Sequence, residues 1–212
     1  MHARVVSVQG SAESLEAALP LWEETVAAAL RQQPGFLGAV MLVDREKGGG
    51  RSVSRWESEE ALTRAEAALT ETRARASAAM AERGIQVVDI ERYEVVAFER
   101  AQPMAAGTCV RTITGQGRPD AIEALRTTVR DRALPVMKAQ PGFRSMIAAI
   151  NRENGRLFLG SSWDSPADRE ASEAAMAPER AELQETLGAT ALQVHRLDVI
   201  YAETAAEVGA PG

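Results

Sequence analysis

Few side chains in this sequence of 212 residues could carry chemistry, because it holds two histidines, one cysteine and only 4% aromatic residues. The candidates for lining a ligand pocket are Trp22, Trp56, Trp163, Tyr93, Tyr201 and His195. Indole and phenol rings pack well against flat molecules, so this set predicts a small aromatic ligand. The alternative is that the tryptophans anchor the core and that His195 has a structural or surface role. None of the tryptophans or tyrosines can activate oxygen alone, so no catalytic residue is assigned.

The composition excludes several classes of site and partner. A single cysteine, Cys109, rules out an internal disulfide framework and a cysteine-built zinc site, and we expect no metal and no cofactor. With 24 basic and 30 acidic residues the formal net charge is −6, so nucleic acid is not an expected partner. The first residues lack the apolar run of a signal peptide, and no apolar stretch approaches the roughly 20 residues of a membrane helix. We therefore expect a cytoplasmic protein with no membrane partner.

The sequence repeats itself at a fixed spacing. The tetrapeptide Gln-Pro-Gly-Phe at residues 33–36 recurs 107 positions later at 140–143, and Trp-Glu-Ser at 56–58 corresponds to Trp-Asp-Ser at 163–165. Near the end of the unit the spacing falls to 104, which places a loss of three residues in or just after the second helix. We predict two tandem units over residues 1–100 and 107–204, followed by a flexible tail over 205–212.

Each unit reads as strand, helix, strand, strand, helix, strand. β-Branched residues indicate the first strands, and apolar residues spaced three and four apart indicate the first helices. Pro20 predicts a kink in one of these helices, and Pro119 predicts the start of the other. Ser58 and Ser165 are placed to cap the second helices. The last strands, about 85–98 and 190–202, are long enough to pair with the other unit. The order βαββαβ predicts an α+β fold built from two tandem ferredoxin-like repeats.

This order, with Gln-Pro-Gly-Phe ending the first helix and Trp-(Glu/Asp)-Ser opening the second, resembles the antibiotic biosynthesis monooxygenase (ABM) family of the dimeric α+β barrel superfamily. The resemblance covers both units and implies that they close into one fused barrel. It also implies a pocket between the sheet and the helices of each unit, with Trp56 and Trp163 in its walls. The asparagine that it implies four residues before this tryptophan is absent, because Ser52 and Leu159 stand there. Neither second helix contains the histidine found there in many relatives.

The resemblance favours a cofactor-independent monooxygenase acting on an aromatic small molecule, which the protein must deprotonate and shield from water. The alternative is a non-catalytic ligand-binding or scaffold protein that has kept the fold without the catalytic set. Haem binding or degradation ranks lowest, because the histidine is missing. Tyr93 and Tyr201 do not occupy equivalent positions of the repeat, which predicts that the two pockets differ. A monomeric fused pair and a further homo-oligomer are both compatible with the sequence.

Overall fold

The computed structural model describes residues 1–204, and the tail at 205–212, for which the sequence predicts flexibility, lies outside the described residues. Within the described part, the chain runs twice through the order strand, helix, strand, strand, helix, strand. The predicted α+β fold with two ferredoxin-like repeats is confirmed. We call residues 1–100 the first half and residues 107–204 the second half.

The first half consists of four strands and two helical regions. Its strands are β1 (His2–Gln9), β2 (Phe36–Val43), β3 (Gly50–Trp56) and β4 (Gln86–Arg100). Its helices are α1 (Ala12–Trp22), a π-helical turn (Glu23–Ala27), α2 (Ala28–Arg31), α3 (Glu59–Ala68) and α4 (Thr70–Ala81). The Ser58 hydroxyl accepts a hydrogen bond from the Ala61 amide at 3.2 Å, so the predicted cap of α3 is confirmed.

The second half repeats this arrangement. Its strands are β5 (Cys109–Gln116), β6 (Phe143–Ile150), β7 (Arg156–Trp163) and β8 (Thr190–Thr204). Its helices are α5 (Ile122–Thr128), a π-helical turn (Val129–Ala133), α6 (Leu134–Lys138) and α7 (Pro166–Leu187). The Ser165 hydroxyl caps α7 by accepting from the Asp168 amide at 3.1 Å. Unlike α3 and α4, α7 is continuous.

The first helical region of each half is irregular at a matched place. The π-helical turn occurs in both halves, although the second half has Thr127 where the first has Pro20, so the proline does not cause it. The predicted start at Pro119 is wrong, because the Ala121 amide donates to the Arg118 carbonyl in a turn and α5 begins only at Ile122. Within residues 1–204, no helix is long and apolar enough to cross a membrane.

The eight strands form one closed antiparallel barrel in the order β1-β3-β2-β8-β5-β7-β6-β4. The long last strands make both seams, as predicted. β4 pairs with β1 up to Glu94 and with β6 from Glu94 onwards. β8 pairs with β5 up to Asp198 and with β2 from Asp198 onwards. Each half therefore completes the sheet of the other.

Alternate residues of each strand face the barrel interior and the outer helices. On β1, Val5 packs in the interior with Tyr93 of the first half and Phe158 of the second half. Its neighbours Arg4 and Val6 point the other way, toward the helices of the first half. The interior thus belongs to both halves, whereas each layer between sheet and helices belongs mainly to one half.

Candidate functional site

A cavity of about 320 Å³ lies between the first-half sheet and its helices, and we call it the first-half cavity. Most of its wall is apolar and comes from α1, the π-helical turn, α2 and α4, with Trp22 and Met80 among the larger side chains. The sheet contributes Arg4 and Ser52 to the same wall. Ser52 is the position at which the implied asparagine is missing, and its small side chain leaves room in the cavity.

Of the six predicted pocket residues, Trp22 alone lines this cavity. Trp22 is the last residue of α1, and its ring makes an edge-on contact with Tyr201 at a centroid distance of 5.2 Å. Tyr201 comes from β8 of the second half, and its hydroxyl accepts a hydrogen bond from Arg31 at 3.0 Å. Tyr201 therefore supports Trp22 across the seam between halves and does not line the cavity itself.

The structure places Trp56 and Trp163 in the core. Both are fully buried, and each indole N–H donates to the serine two residues earlier, at 3.1 Å to Ser54 and 3.0 Å to Ser161. Each ring also makes an edge contact with a phenylalanine at the start of the preceding strand, which is Phe36 in the first half. Neither indole is among the residues that line the cavity of its half, so both act as packing anchors.

Tyr93 and His195 face the barrel interior, on the opposite side of the sheet from the first-half cavity. Tyr93 is 3% exposed and lies 5.7 Å from the ring of Phe158, and burial raises its pKa to about 12. Burial lowers the pKa of His195, and its Nε2 atom has no hydrogen-bond partner within residues 1–204. The six predicted residues therefore do not converge on one site.

The sequence interpretation missed a group of charged side chains beside the first-half cavity. The Arg4 Nε atom donates to Glu66 at 3.0 Å, and Arg92 pairs with the other oxygen of the same carboxylate. Arg73 lines the cavity and makes no ion pair or side-chain hydrogen bond within residues 1–204. Burial, and next the neighbouring Arg4, lower the pKa of Arg73 to about 10. The guanidinium remains charged at neutral pH, and the nearby Glu66, which opposes this lowering of the pKa, is already paired with Arg4 and Arg92.

In the second half, the corresponding charged group is fully paired and the corresponding cavity is small. Arg111 and Arg180 both pair with Glu173, at 2.5 Å and 2.7 Å, so its two carboxylate oxygens hold both arginines. Leu159 stands where the first half has Ser52, and the corresponding space measures only about 50 Å³. The prediction that the two pockets differ agrees with these dimensions, and only the first is large enough for an aromatic ligand.

The repeat in the sequence could have identified the charged residues beside the first-half cavity. The spacing of 107 carries Arg4, Glu66 and Arg73 onto Arg111, Glu173 and Arg180, with every residue type unchanged. Three charged residues that recur at one spacing indicate that the arrangement was retained in both units. The three extra residues of the first unit follow Arg73, because the spacing has fallen to 104 at Gly84 and Gly188.

The first-half cavity can bind and desolvate a ligand but offers little acid–base chemistry. The described residues that line it include no carboxylate, histidine, cysteine or tyrosine. Across residues 1–204 there is also no group of three or more His, Cys, Asp or Glu side chains able to hold a metal ion. A reaction here must use acidity of the ligand itself, stabilised by Arg73.

The comparisons with known proteins agree with this fold. Residues 1–80 match the family described as antibiotic biosynthesis monooxygenase. Uncharacterized protein Rv2557 of Mycobacterium tuberculosis (strain ATCC 25618 / H37Rv) is 27% identical over 165 residues, which cover 78% of this chain and 72% of that protein. Uncharacterized protein Rv2558 of the same strain is 25% identical over 203 residues, with coverages of 95% and 84%.

Solved structures show the same fold over nearly the whole chain. An anthrone oxidase-like protein superposes with a TM-score of 0.69 and 17% identity, covering 100% of this chain and 96% of that chain. LmHde, a heme-degrading enzyme from Listeria monocytogenes, superposes with a TM-score of 0.53 and 11% identity, covering 92% and 98%. At these identities the likeness concerns the fold alone.

Proposed function

Because this chain contains an antibiotic biosynthesis monooxygenase domain over residues 1–80, we propose that its first-half cavity binds an acidic aromatic small molecule and exposes it to dioxygen without a cofactor. The observation that carries the proposal is the Arg73 guanidinium, which has no ion-pair partner within residues 1–204 and lies in the wall of an otherwise mainly apolar cavity. An apolar wall favours a ring system. Arg4 of the wall is paired with Glu66, so Arg73 is the cation that favours one negative charge on that ring system.

Arg73 stabilises the anion of the ligand, and the proton passes to solvent water, since no base lines the described cavity wall. An anthrone, which loses a proton from its methylene carbon to give an aryloxide, illustrates the class. A guanidinium beside the oxygen lowers the pKa of such a ligand, because it stabilises the charged form. The resulting electron-rich anion reacts with dioxygen. One oxygen atom becomes a new carbonyl on the former methylene carbon, and the other leaves as water with both methylene hydrogens. Dioxygen is the oxidant, so no external reductant is required.

The test compares acidic aromatics with parents that lack the acidic group. Naphthols and anthrones are titrated against naphthalene and anthracene while tryptophan fluorescence is followed, since Trp22 lines the cavity. Arg73→Met should weaken binding of the naphthols roughly tenfold, as expected for loss of one charge-assisted hydrogen bond, and leave the naphthalene affinity unchanged. Arg180→Met, in the closed second half, is the matched control and should alter neither. Equal losses for acidic and parent compounds, or no quenching at all, would contradict the proposal.

Oxygen uptake separates this function from the second candidate, a ligand-binding protein without catalysis. The lack of a carboxylate or histidine in the described cavity wall favours that candidate, because a weakly acidic ligand would then stay protonated. Protein-dependent oxygen uptake with anthrone that falls in Arg73→Met supports the oxygenase. Tight binding without uptake supports the binding protein.

A further inference from the structure

A second cavity, of about 270 Å³, opens at one end of the barrel interior, and we call it the lumen cavity. Its wall combines inward-facing residues of both halves, including Ser7 of β1 and Thr114 of β5. The sheet separates it from the first-half cavity, because neighbouring residues of a strand point to opposite faces. Nothing in the proposed function uses this space.

The lumen cavity spans the boundary between the repeats, and the two halves line it differently. At the spacing of 107, Arg51 corresponds to Phe158, and at the spacing of 104, Glu91 corresponds to His195. All four residues line the cavity. Two identical subunits would place two copies of Arg51 here, where they would repel each other. A single chain can instead place a charged residue on one side and an uncharged residue on the other.

The charges on one side of the lumen cavity are satisfied by one another. Arg156 donates to Asp89 at 2.6 Å and also pairs with Glu91. The Asn151 amide donates to the second oxygen of Glu91 at 2.8 Å. This cluster needs no ligand.

The other side holds two buried charges that have no such partner. Arg51 is 9% exposed, and its guanidinium donates to the hydroxyl of Thr112 but forms no ion pair within residues 1–204. Asp44 is 5% exposed, and one of its oxygens accepts the backbone amides of Glu46 and Lys47, again with no ion pair among the described residues. Burial lowers the pKa of Arg51, and Asp89 and Asp44 lie close enough to oppose this shift, but neither forms an ion pair with it. A buried charge without an ion-pair partner is costly, and two of opposite sign that line one cavity form a dipolar site.

Neutral polar groups line the space as well. His195 presents the Nε2 atom that has no partner within residues 1–204, and Tyr93 contributes a phenol. Asn151 shows how Asp44 is placed, because it occupies the matched position and its Oδ1 atom accepts the amides of Glu153 and Asn154 in the same kind of turn. The Nδ2 atom of Asn151 also donates a hydrogen bond to Glu91. Glu91 corresponds to His195 in the repeat, and Asp44 forms no ion pair with His195 within residues 1–204.

We propose that the lumen cavity binds a small zwitterion of the α-amino acid class, with its carboxylate on Arg51 and its ammonium group on Asp44. A guanidinium fork matches a carboxylate in shape and charge, and Asp44 supplies the opposite charge for an amine. The volume of about 270 Å³ is just below the range typical of drug-sized ligands, which suits a molecule of this size.

The test is isothermal titration calorimetry of the full chain with a panel of L-amino acids. For whichever binds best, the analogue without its amine and the analogue without its carboxylate should each bind roughly tenfold or more weakly, since each loses a charge-assisted contact. Asp44→Asn should cause a similar loss and keep the turn, because Asn151 makes the same backbone contacts in the second half. Arg51→Met removes the other charge.

Arg73→Met is the control, because it lies in the first-half cavity and should leave amino acid binding unchanged. Failure of every amino acid to bind would overturn the proposal, and so would full affinity in Asp44→Asn. Equal affinity for the carboxylic acid without its amine would show an anion site instead and would also overturn it. None of these outcomes affects the aromatic titrations, so this proposal and the proposed function fail separately.

Discussion

At the scale of single residues, arginines compete for one carboxylate in each half, and the outcome leaves an arginine available in the first-half cavity but not in the corresponding space of the second half. Glu66 and Glu173 each have two oxygens and three arginines within the same repeat that could reach them. In the second half Arg196, the counterpart of Arg92, pairs with Glu170 at 2.9 Å and leaves Glu173 to Arg111 and Arg180. The position matching Glu170 in the first half is Thr63, which carries no charge. Arg92 therefore pairs with an oxygen of Glu66, and Arg73 has no ion-pair partner in the part of the chain that the structure describes.

Thr63→Glu is expected to allow Arg73 to pair with Glu66, as Arg180 pairs with Glu173 in the second half. Thr63 is exposed on α3, so a new carboxylate there should change the free energy of unfolding by no more than about 0.5 kcal/mol. Arg92 would gain its own partner and release Glu66 to Arg73. The affinity for naphthols, measured by tryptophan fluorescence, should fall roughly tenfold, while the naphthalene affinity stays the same. Thr63→Gln, which adds length without charge, is the control, and unchanged naphthol binding in Thr63→Glu would refute the competition.

The site was harder to predict from the sequence than the fold, for a physical reason that these residues illustrate. Hydrophobic periodicity and the repeat spacing depend on many residues, so the order of strands and helices along the chain and the caps at Ser58 and Ser165 could be predicted. Whether a half has an open cavity depends on which arginines pair with one carboxylate. It also depends on the size of the side chain at one position of the sheet, which is Ser52 in the first half and Leu159 in the second. The tryptophans drew attention because they are rare, yet Trp56 and Trp163 serve packing, and the functional candidate is a common arginine.

At the scale of elements, the seam between β2 and β8 depends on a backbone approach too close for a side chain. Gly38 of β2 has a φ of +144°, and a Cβ atom added there would lie 2.5 Å from the carbonyl oxygen of Glu203 in β8. The register of β2 against β3 also shifts at this point, between Phe36 and Gly38. A side chain at this position must strain the backbone and push the two halves apart.

Gly38→Ala should therefore lower the free energy of unfolding by about 1–3 kcal/mol, the usual cost of a strained backbone conformation. Urea denaturation measures the change. Gly84→Ala is the matched control, because Gly84 also has a positive φ, +73°, but a Cβ atom there would have no neighbour within 4 Å. The difference between the two variants isolates the close approach to β8. If Gly38→Ala is no more destabilising than Gly84→Ala, the seam tolerates a side chain.

At the scale of the whole molecule, the interior is shared so evenly that neither half can bury its own sheet. Val5 and Tyr93 of the first half pack against Phe158 of the second. Separating the halves would uncover this apolar face and leave the seam strands β4 and β8 half paired, which is unfavourable in water. The lumen cavity also distinguishes the two ways in which separated halves could pair. Two copies of the first half would bring two Arg51 side chains together, whereas a first half paired with a second half would place Arg51 in one cavity with Phe158, as in the intact chain.

Cutting the chain in the connection between β4 and β5 therefore has a specific expected result. The first half expressed alone should not form a folded monomer, and light scattering after gel filtration should show self-association or aggregation. Co-expressed with the second half, it should form a one-to-one heterodimer in preference to either homodimer, because only that pairing supplies Arg156 to Asp89 and Glu91 and avoids two neighbouring Arg51 side chains. Arg51→Met removes the repulsion and should raise the proportion of first-half homodimer. A stable, folded first-half monomer with native circular dichroism would contradict the shared interior, and an equal yield of homodimer and heterodimer would contradict the role of Arg51 in choosing the partner.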